Sequence, residues 1–297
     1  MLTRSKLIHL SESDKLLVNL LFYMKYSNGQ LHMRTKNKKE KTININTNMN
    51  PFEKFEKDYA NLYTNEKFTM IFDTETTGLF PKINTDDNNR SNSIESIMNL
   101  PIEILNTYPY ITQLSFIMYD IQQKKTVFSF NSYIRIPEEI AISEEITKLT
   151  GVTREKCNAG ISMQDALELF YKASKYCDTI VAHNIQFDRN MILLECKRNA
   201  EVLNNVDSIY AMLNYYENRI RVRCSMKSGF QYLNLKKFPR LSELHELLFN
   251  ETVESYNIPL HNALVDTLVC LRCSLKIFNN IHISREEFTQ SISDIFM

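Results

Sequence analysis

The chain has 297 residues, of which 43% are hydrophobic, enough for one large domain or for a catalytic domain with extensions. Its 35 basic and 35 acidic residues give a net charge of zero, which excludes a globally basic protein and requires any nucleic-acid site to be local. The six cysteines lack metal-ligand spacing, and the apolar run from Leu16 to Met24 is too short to cross a membrane, so we expect a soluble, intracellular protein with reduced thiols, located in the nucleus, the cytoplasm or a viral replication compartment.

The first 66 residues are predicted to be an extension with one amphipathic helix and a basic linker. The helix is predicted from Ser13 to about Tyr26, and Ser27-Asn-Gly29 would end it. Such a helix either packs on the main domain, the commoner arrangement, or binds a partner. We interpret the basic stretch 34–41 as a solvated loop rather than a nucleic-acid contact.

The next segment predicts a buried strand that ends in two acids. The apolar run 68–72 leads into Asp73 and Glu75, and Gly78 follows. Side chains two apart on a strand point to the same face, so the two carboxylates project together. Such a pair repels itself unless a cation joins it, and hard oxygen ligands suit Mg²⁺ or Mn²⁺. The alternative is a solvated strand end without chemistry.

The remaining elements indicate a mixed α/β sheet flanked by helices. Residues 82–107, rich in Asn, Ser and Asp, predict a surface insertion. Strands at 110–119 and 125–136 form an antiparallel meander with the first strand. The later pattern predicts helices after Ser143 and Ser162, a strand at 179–182 running into another helix, a helix within 200–218, a strand at 221–225, and helices at 241–248 and 263–277. We place the main domain at 67–280 and a C-terminal tail at 281–297.

Two later segments add acids at the starts of helices. Asp188 lies in the first turn after the strand at 179–182, and Asp266 lies in the first turn of the last predicted helix, just after His261. Each residue alone is more often a cap, a dipole partner or a structural histidine. Their order along the chain, together with Asp73 and Glu75, is far more specific.

These motifs resemble those of the DEDDh exonuclease superfamily, the proofreading-type (DnaQ-like) 3′→5′ exonucleases with a ribonuclease H-like fold. The resemblance covers about residues 67–278 and rests on three motifs: Asp73-Thr-Glu-Thr-Thr-Gly78, Val181-Ala-His-Asn-Ile-Gln-Phe-Asp188 and His261-Asn-Ala-Leu-Val-Asp266. The sister subclass would place Tyr four residues before the last Asp. Asn262 stands there, whereas His261 has the spacing of the histidine subclass.

The resemblance implies phosphodiester hydrolysis assisted by two Mg²⁺ or Mn²⁺ ions. Asp73, Glu75 and Asp266 would hold one ion, and Asp73 with support from Asp188 would hold the other. His261 would act as the general base on the attacking water.

The resemblance also assigns contacts to the substrate. Thr76, Thr77 and Leu79 would cradle the terminal nucleotide, and Asn184 would contact the substrate backbone. The residues alone add a basic segment without acids, which could contact phosphates and stack bases or could be a solvated face over core aromatics. This segment, 219–240, contains Lys236 and Lys237 among seven basic residues, with Phe230, Tyr232 and Phe238 interleaved.

The leading hypothesis is a 3′→5′ exonuclease that releases 5′-mononucleotides from DNA 3′ ends in proofreading or repair. The alternatives are an RNA 3′-trimming exoribonuclease and an inactive nucleic-acid-binding module. The presence of all four acids and the histidine argues against the inactive module. No polymerase region is visible, so proofreading would act in trans, with a polymerase or repair partner bound through the N-terminal extension.

Overall fold

A computed structural model describes residues 68–81, 99–214, 220–256 and 261–296, together with three backbone strands nearer the N-terminus. No helix among these residues is long and apolar enough to span a membrane. All six cysteines are buried and free.

The three N-terminal strands correct one prediction. Strands β1 (Met24–Ser27), β2 (Gln30–Arg34) and β3 (Glu40–Thr42) form an antiparallel sheet in that order. The predicted helix is therefore wrong over residues 24–26, and the rest of it lies outside the described residues. Asn-Gly, part of the sequence that we interpreted as a helix stop, is also strongly preferred in two-residue hairpin loops, and Ser27 pairs with Gln30.

The main sheet has five strands in the order β6-β5-β4-β7-β8, which confirms the predicted ribonuclease H-like mixed sheet. Strands β4 (Phe68–Thr76), β5 (Ile111–Asp120) and β6 (Lys125–Tyr133) form the antiparallel meander. Strands β7 (Cys177–Ala182) and β8 (Arg221–Cys224) run parallel to β4. The carboxyl ends of β4, β7 and β8 therefore meet at one edge of the sheet.

Helices cover both faces of the main sheet. They are α1 (Ile102–Leu105), α2 (Glu144–Thr150), α3 (Arg154–Asn158), α4 (Met163–Ser174), α5 (Ile185–Arg198), α6 (Val206–Leu213), α7 (Ser225–Tyr232), α8 (Leu241–Phe249), α9 (Ala263–Asn279) and α10 (Arg285–Phe296), with a 3-10 helix at Val253–Tyr256. The expected starts of α2 and α4 are confirmed, because Ser143 and Ser162 accept hydrogen bonds from backbone N–H groups of the first turn. Gly151 ends α2 in the left-handed conformation, at φ 69°.

Side chains along β4 alternate between the two cores. Met70 and Phe72 pack in the cluster that contains residues of α4 and α5, whereas Ile71 packs with α9 on the other face. Because strand side chains repeat every second residue, Asp73 and Glu75 follow Ile71 onto the face covered by α9.

Two segments, the predicted surface insertion and the predicted C-terminal tail, contribute to the core. Residues 99–107, the described part of the expected insertion, contain α1, whose Leu105 is fully buried. The segment 281–297, expected to be a tail, contains α10, which buries Phe288 and Ile292 in the α9 cluster. The apolar spacing of α10 was the signal that could have predicted this packing.

Candidate active site

Three of the predicted acids converge between β4 and α9. Oxygens of Asp73, Glu75 and Asp266 all lie within 4.8 Å of one another. The strand period places the first two side by side, and the first turn of α9 brings Asp266 over them. All three side chains are half-buried.

Asp188 comes from the first turn of α5 and is fixed by the motif itself. Its Oδ1 accepts two hydrogen bonds from Thr74, at 3.1 Å from the backbone N–H and 2.8 Å from the hydroxyl. Thr74 therefore orients the fourth acid from between Asp73 and Glu75, a role that the sequence analysis missed. Its position inside the first motif was the available signal.

Burial raises the pKa of each of the four carboxyls, and repulsion from neighbouring acids adds to the effect for Asp73, Glu75 and Asp188. Burial, followed by repulsion from Asp188, Asp266 and Glu75, holds the pKa of Asp73 well above its usual range. Burial and the neighbouring acids raise the pKa of Glu75 to about 8. Burial raises the pKa of Asp188 to about 7 against its Thr74 hydrogen bonds, and it raises the pKa of Asp266 to about 7 against a hydrogen bond from the backbone of His261.

This donor set fits a divalent metal. The four acids, named here the acid cluster, are Asp73, Glu75, Asp188 and Asp266. Their ligand atoms are all hard oxygens, and their mutual repulsion would be relieved by a cation. The residues thus suit Mg²⁺ or Mn²⁺ rather than a soft metal.

His261 is exposed and stands two residues before α9, in the left-handed conformation at φ 61°. Its backbone lowers the pKa of the Asp266 carboxyl against the effect of burial, which places the histidine next to a predicted metal ligand. Asn262 caps α9, with Oδ1 accepting from the N–H of Leu264 at 3.1 Å.

Gln113 is a further site residue that the sequence analysis missed. It pairs directly with Glu75 across β4 and β5 and is 1% exposed. Its Oε1 accepts from the N–H of Ala263 at 3.4 Å, and its Nε2 donates to Asn131 at 2.8 Å. Gln113 therefore joins the strand that carries Glu75 to the first residue of the helix that carries Asp266.

His183 links the site to the segment after α7. Its Nδ1 lies 2.9 Å from the hydroxyl of Ser225, and its Nε2 lies 3.1 Å from the carbonyl oxygen of Pro239. Burial lowers the pKa of His183 to about 4, against the effect of the Pro239 contact, so the ring is neutral near pH 7. Because a carbonyl only accepts, Nε2 carries the proton and Nδ1 accepts from Ser225.

The predicted cradle residues differ in availability. The Thr76 hydroxyl donates to Gly78 O at 2.6 Å, and the Thr77 hydroxyl accepts from Tyr110 N at 3.0 Å, so both side chains have internal partners. Leu79 is 81% exposed. Asn184, the N-cap of α5, is also exposed and has φ 64°.

The predicted basic segment divides into two parts, and Arg219 lies outside the described residues. Arg221 pairs with Asp178 at 2.6 Å, and Arg223 lies over the Phe278 ring at 4.7 Å; both line a pocket of about 380 Å³ near the amino-terminal ends of the parallel strands. Lys236 and Lys237 instead follow α7, at the edge where the acids lie, and both are exposed.

Comparisons with known proteins agree with the motifs. The RNase T model, described as Exonuclease, matches residues 70–273. No curated protein sequence matches the chain significantly.

Among solved structures, the chain is similar to the 3′-exonuclease that recognises the 3′ end of a histone mRNA stem-loop, with 12% identity and a TM-score of 0.48 over 72% of this chain and 83% of that one. The nuclease domain of 3′hExo, a DEDDh family member bound to rAMP, gives 12% identity and a TM-score of 0.49 over 73% and 94%. E. coli Exonuclease I in complex with a dA16 oligonucleotide gives 12% identity and a TM-score of 0.49, over 77% of this chain and 43% of that one.

Proposed function

The chain belongs to the RNase T exonuclease family, and from that premise we propose that it is a metal-dependent 3′→5′ exonuclease acting on DNA 3′ ends. The observation that carries the proposal is the convergence of Asp73, Glu75 and Asp266 within 4.8 Å, with Asp188 beside them. The raised pKa values of these acids indicate that their ionised forms are destabilised at this edge of the sheet, and bound cations would stabilise them.

Each acid has a proposed share in holding the ions. Asp73, Glu75 and Asp266 would hold one Mg²⁺ or Mn²⁺, and Asp73 with Asp188 would hold a second. The bound ions would supply positive charge for the attacking and leaving oxygens of an in-line displacement at phosphorus. Thr74 keeps Asp188 aimed at the site through its two hydrogen bonds.

The other residues bind the substrate and move a proton. His261, exposed beside Asp266, would take the proton of the attacking water. The bond from phosphorus to the 3′ oxygen of the penultimate nucleotide breaks, and the products are a 5′-mononucleotide and a shortened chain. The backbone at Thr76 and Thr77, with the exposed Leu79, would hold the terminal nucleotide, while Asn184, Lys236 and Lys237 would contact the strand that leads to it.

A direct test uses end-labelled single-stranded DNA, duplex DNA and RNA of one sequence. With Mg²⁺ or Mn²⁺ the protein should shorten DNA stepwise from the 3′ end to 5′-mononucleotides, and excess chelator should stop it. Asp73→Asn protein, purified identically, controls for contaminating nuclease. Hydrolysis in excess chelator, or cleavage of a closed circle, would contradict the proposal, and faster shortening of RNA would replace DNA as the substrate.

The N-terminal extension has a proposed role outside the chemistry. All five motif residues lie after residue 67, so residues 1–66 would serve stability or a polymerase or repair partner rather than turnover.

A further inference from the structure

Helix α7 and the residues after it begin at the edge of the sheet that carries the acids. Strand β8 ends at Cys224 and α7 starts at Ser225, with no residue between them. Since β8 runs parallel to β7, and β7 to β4, the start of α7 lies at the same edge as Asp73 and Glu75. Ligands of open α/β sheets bind outside the carboxyl ends of such strands.

His183 fastens the segment after α7 to the strand position beside the first acid. Ile71 pairs with Val181, and two residues further along the chain stand Asp73 on β4 and His183, the first residue after β7. The imidazole then reaches the Pro239 carbonyl oxygen at 3.1 Å. Pro239 is therefore in direct contact with His183, which lies beside Asp73, and Phe238 comes immediately before Pro239 in the chain.

The end of α7 and the segment after it present aromatic rings and lysines to solvent. We name Tyr232, Lys236, Lys237 and Phe238 the aromatic–lysine surface. Tyr232 is 51% exposed and Phe238 is 53% exposed, large fractions for rings of this size. The half-buried ring of Phe230 packs against the ring of Phe238, with centroids 4.9 Å apart.

The charges around these rings suit a polyanion. The sequence has no acid from 219 to 240. Lys237 pairs with Glu243 at 3.1 Å, but both groups are exposed, so a phosphate can compete for the lysine. Lys236 makes no ion pair with any described residue, which leaves it the stronger phosphate contact.

Exposed rings beside lysines favour one kind of nucleic acid. Base–aromatic stacking needs a base with a free face, which single strands offer and an intact duplex does not. We propose that the aromatic–lysine surface binds the nucleotides upstream of the terminal one as a single strand, so that the enzyme prefers single-stranded 3′ ends. The inference rests on the proposed exonuclease function and adds its strand preference.

The test compares three substrates and matched variants, each with Mn²⁺. The substrates are a short single-stranded oligonucleotide, its blunt duplex, and the 4-nitrophenyl ester of thymidine 5′-monophosphate, which fills only the terminal-nucleotide position. Phe238→Leu and Tyr232→Leu keep apolar bulk but remove the stacking face. The control, Leu247→Ala, changes another apolar residue, 54% exposed, on α8.

Each leucine variant should raise KM for the single strand about five- to tenfold, the low end for a stacked base. The kcat for that strand, KM for the duplex and all constants for the ester should stay unchanged, and Leu247→Ala should behave as wild type. An unchanged single-strand KM in both variants would overturn the inference and leave the surface to another partner. An equal rise for the ester would overturn it as well. Failure of the wild type to cleave the ester would instead contradict the proposed function.

Discussion

Helix α9 carries two charged clusters that are built in opposite ways. Near its start, Asp266 joins the acid cluster, in which every member repels the others. Six residues later Arg272, 1% exposed, donates to Glu251 Oε2 at 2.8 Å, to the Tyr256 hydroxyl at 2.7 Å and to Ile283 O at 3.1 Å. We call Arg272, His245, Glu251 and Tyr256 the arginine cluster.

The arginine cluster satisfies its own charges. His245 accepts from Arg272 at Nε2 and donates to Glu251 O from Nδ1, and burial lowers its pKa to about 4, so no second cation competes. Burial would raise the pKa of Glu251, but hydrogen bonds from Arg272 and Tyr256 outweigh it and the pKa falls. Removing a partner from the arginine cluster would leave a charge without an opposite charge beside it. The acid cluster contains only acids, so its negative charges have no positive partner within the cluster. The comparison separates a cluster that stabilises the fold from one that awaits a ligand.

The largest effect is expected from Asp266→Asn, which should lower activity and raise the stability of the metal-free protein. Loss of one carboxylate charge should weaken metal binding and reduce kcat/KM by more than the ~10²–10⁴-fold typical of a lost general base. The metal-free protein should become more stable, because one source of repulsion is removed. Exonuclease assays and urea unfolding measure the two quantities.

The exposed acid Glu254, changed to Gln, is the control and should alter neither quantity. If the metal-free Asp266→Asn protein were less stable than wild type, the interpretation that the negative charges of the acid cluster lack a positive partner would be wrong.

His261→Ala separates proton transfer from metal binding. A positioned general base is worth ~10²–10⁴-fold in rate, so kcat should fall by about that factor while Mn²⁺ affinity stays near that of wild type. Higher pH should recover part of the loss, because hydroxide then competes better as the nucleophile. The exposed His282, changed to Ala, should keep full activity. If His261→Ala lost Mn²⁺ binding as severely as Asp266→Asn, the general-base role would be wrong.

Arg272→Met should break the other half of the comparison. It leaves the Ile283 carbonyl without its donor and Glu251 with only the Tyr256 hydroxyl, and the free energy of unfolding should fall by about 3–5 kcal/mol. Arg221→Met removes the exposed ion pair with Asp178 and should cost at most about 1 kcal/mol. Urea unfolding of both variants compares the two losses of unfolding free energy. Equal losses would show that the partners of Arg272 contribute no more to stability than an exposed ion pair does.

Gln113→Ala should have the smallest effect on the acid cluster. Groups that orient metal ligands typically contribute 10–100-fold in metal affinity or activity, and we expect about tenfold. The loss should be recovered at higher Mn²⁺ concentration, which a direct ligand variant would not allow to the same degree. The exposed Gln123, changed to Ala, is the control. A loss that no Mn²⁺ concentration relieves would mean that Gln113 supports the fold rather than the ligands.

Local patterns predicted the acids, while long-range contacts had to come from the structure. The strand period placed Asp73 beside Glu75, and helix starts placed Asp188 and Asp266, because each depends only on nearby residues. Gln113 reaches Ala263 across 150 positions, a pairing that no spacing in the sequence encodes.

The buried Arg272 was likewise missed, because a single arginine in an apolar helix does not reveal its partners in three other segments. The wrong N-terminal helix has a local cause. An Asn-Gly sequence is compatible both with a helix end and with a hairpin, whereas the structure pairs Met24–Ser27 with residues of Gln30–Arg34 as antiparallel strands.

Calorimetric titration of Mn²⁺ at pH 7, in two buffers of different ionisation enthalpy, tests the central claim most directly. The metal-free pKa of Glu75, about 8, lies above its ordinary 4.5, so this carboxyl binds a proton at pH 7 that the metal must displace. We therefore predict saturable binding with proton release, and affinity that rises with pH up to about 8. Arg272→Met should retain this binding and Asp266→Asn should lose it. Absence of saturable binding, binding without proton release, or unchanged binding in Asp266→Asn would contradict the assignment of the acid cluster as a divalent-metal site.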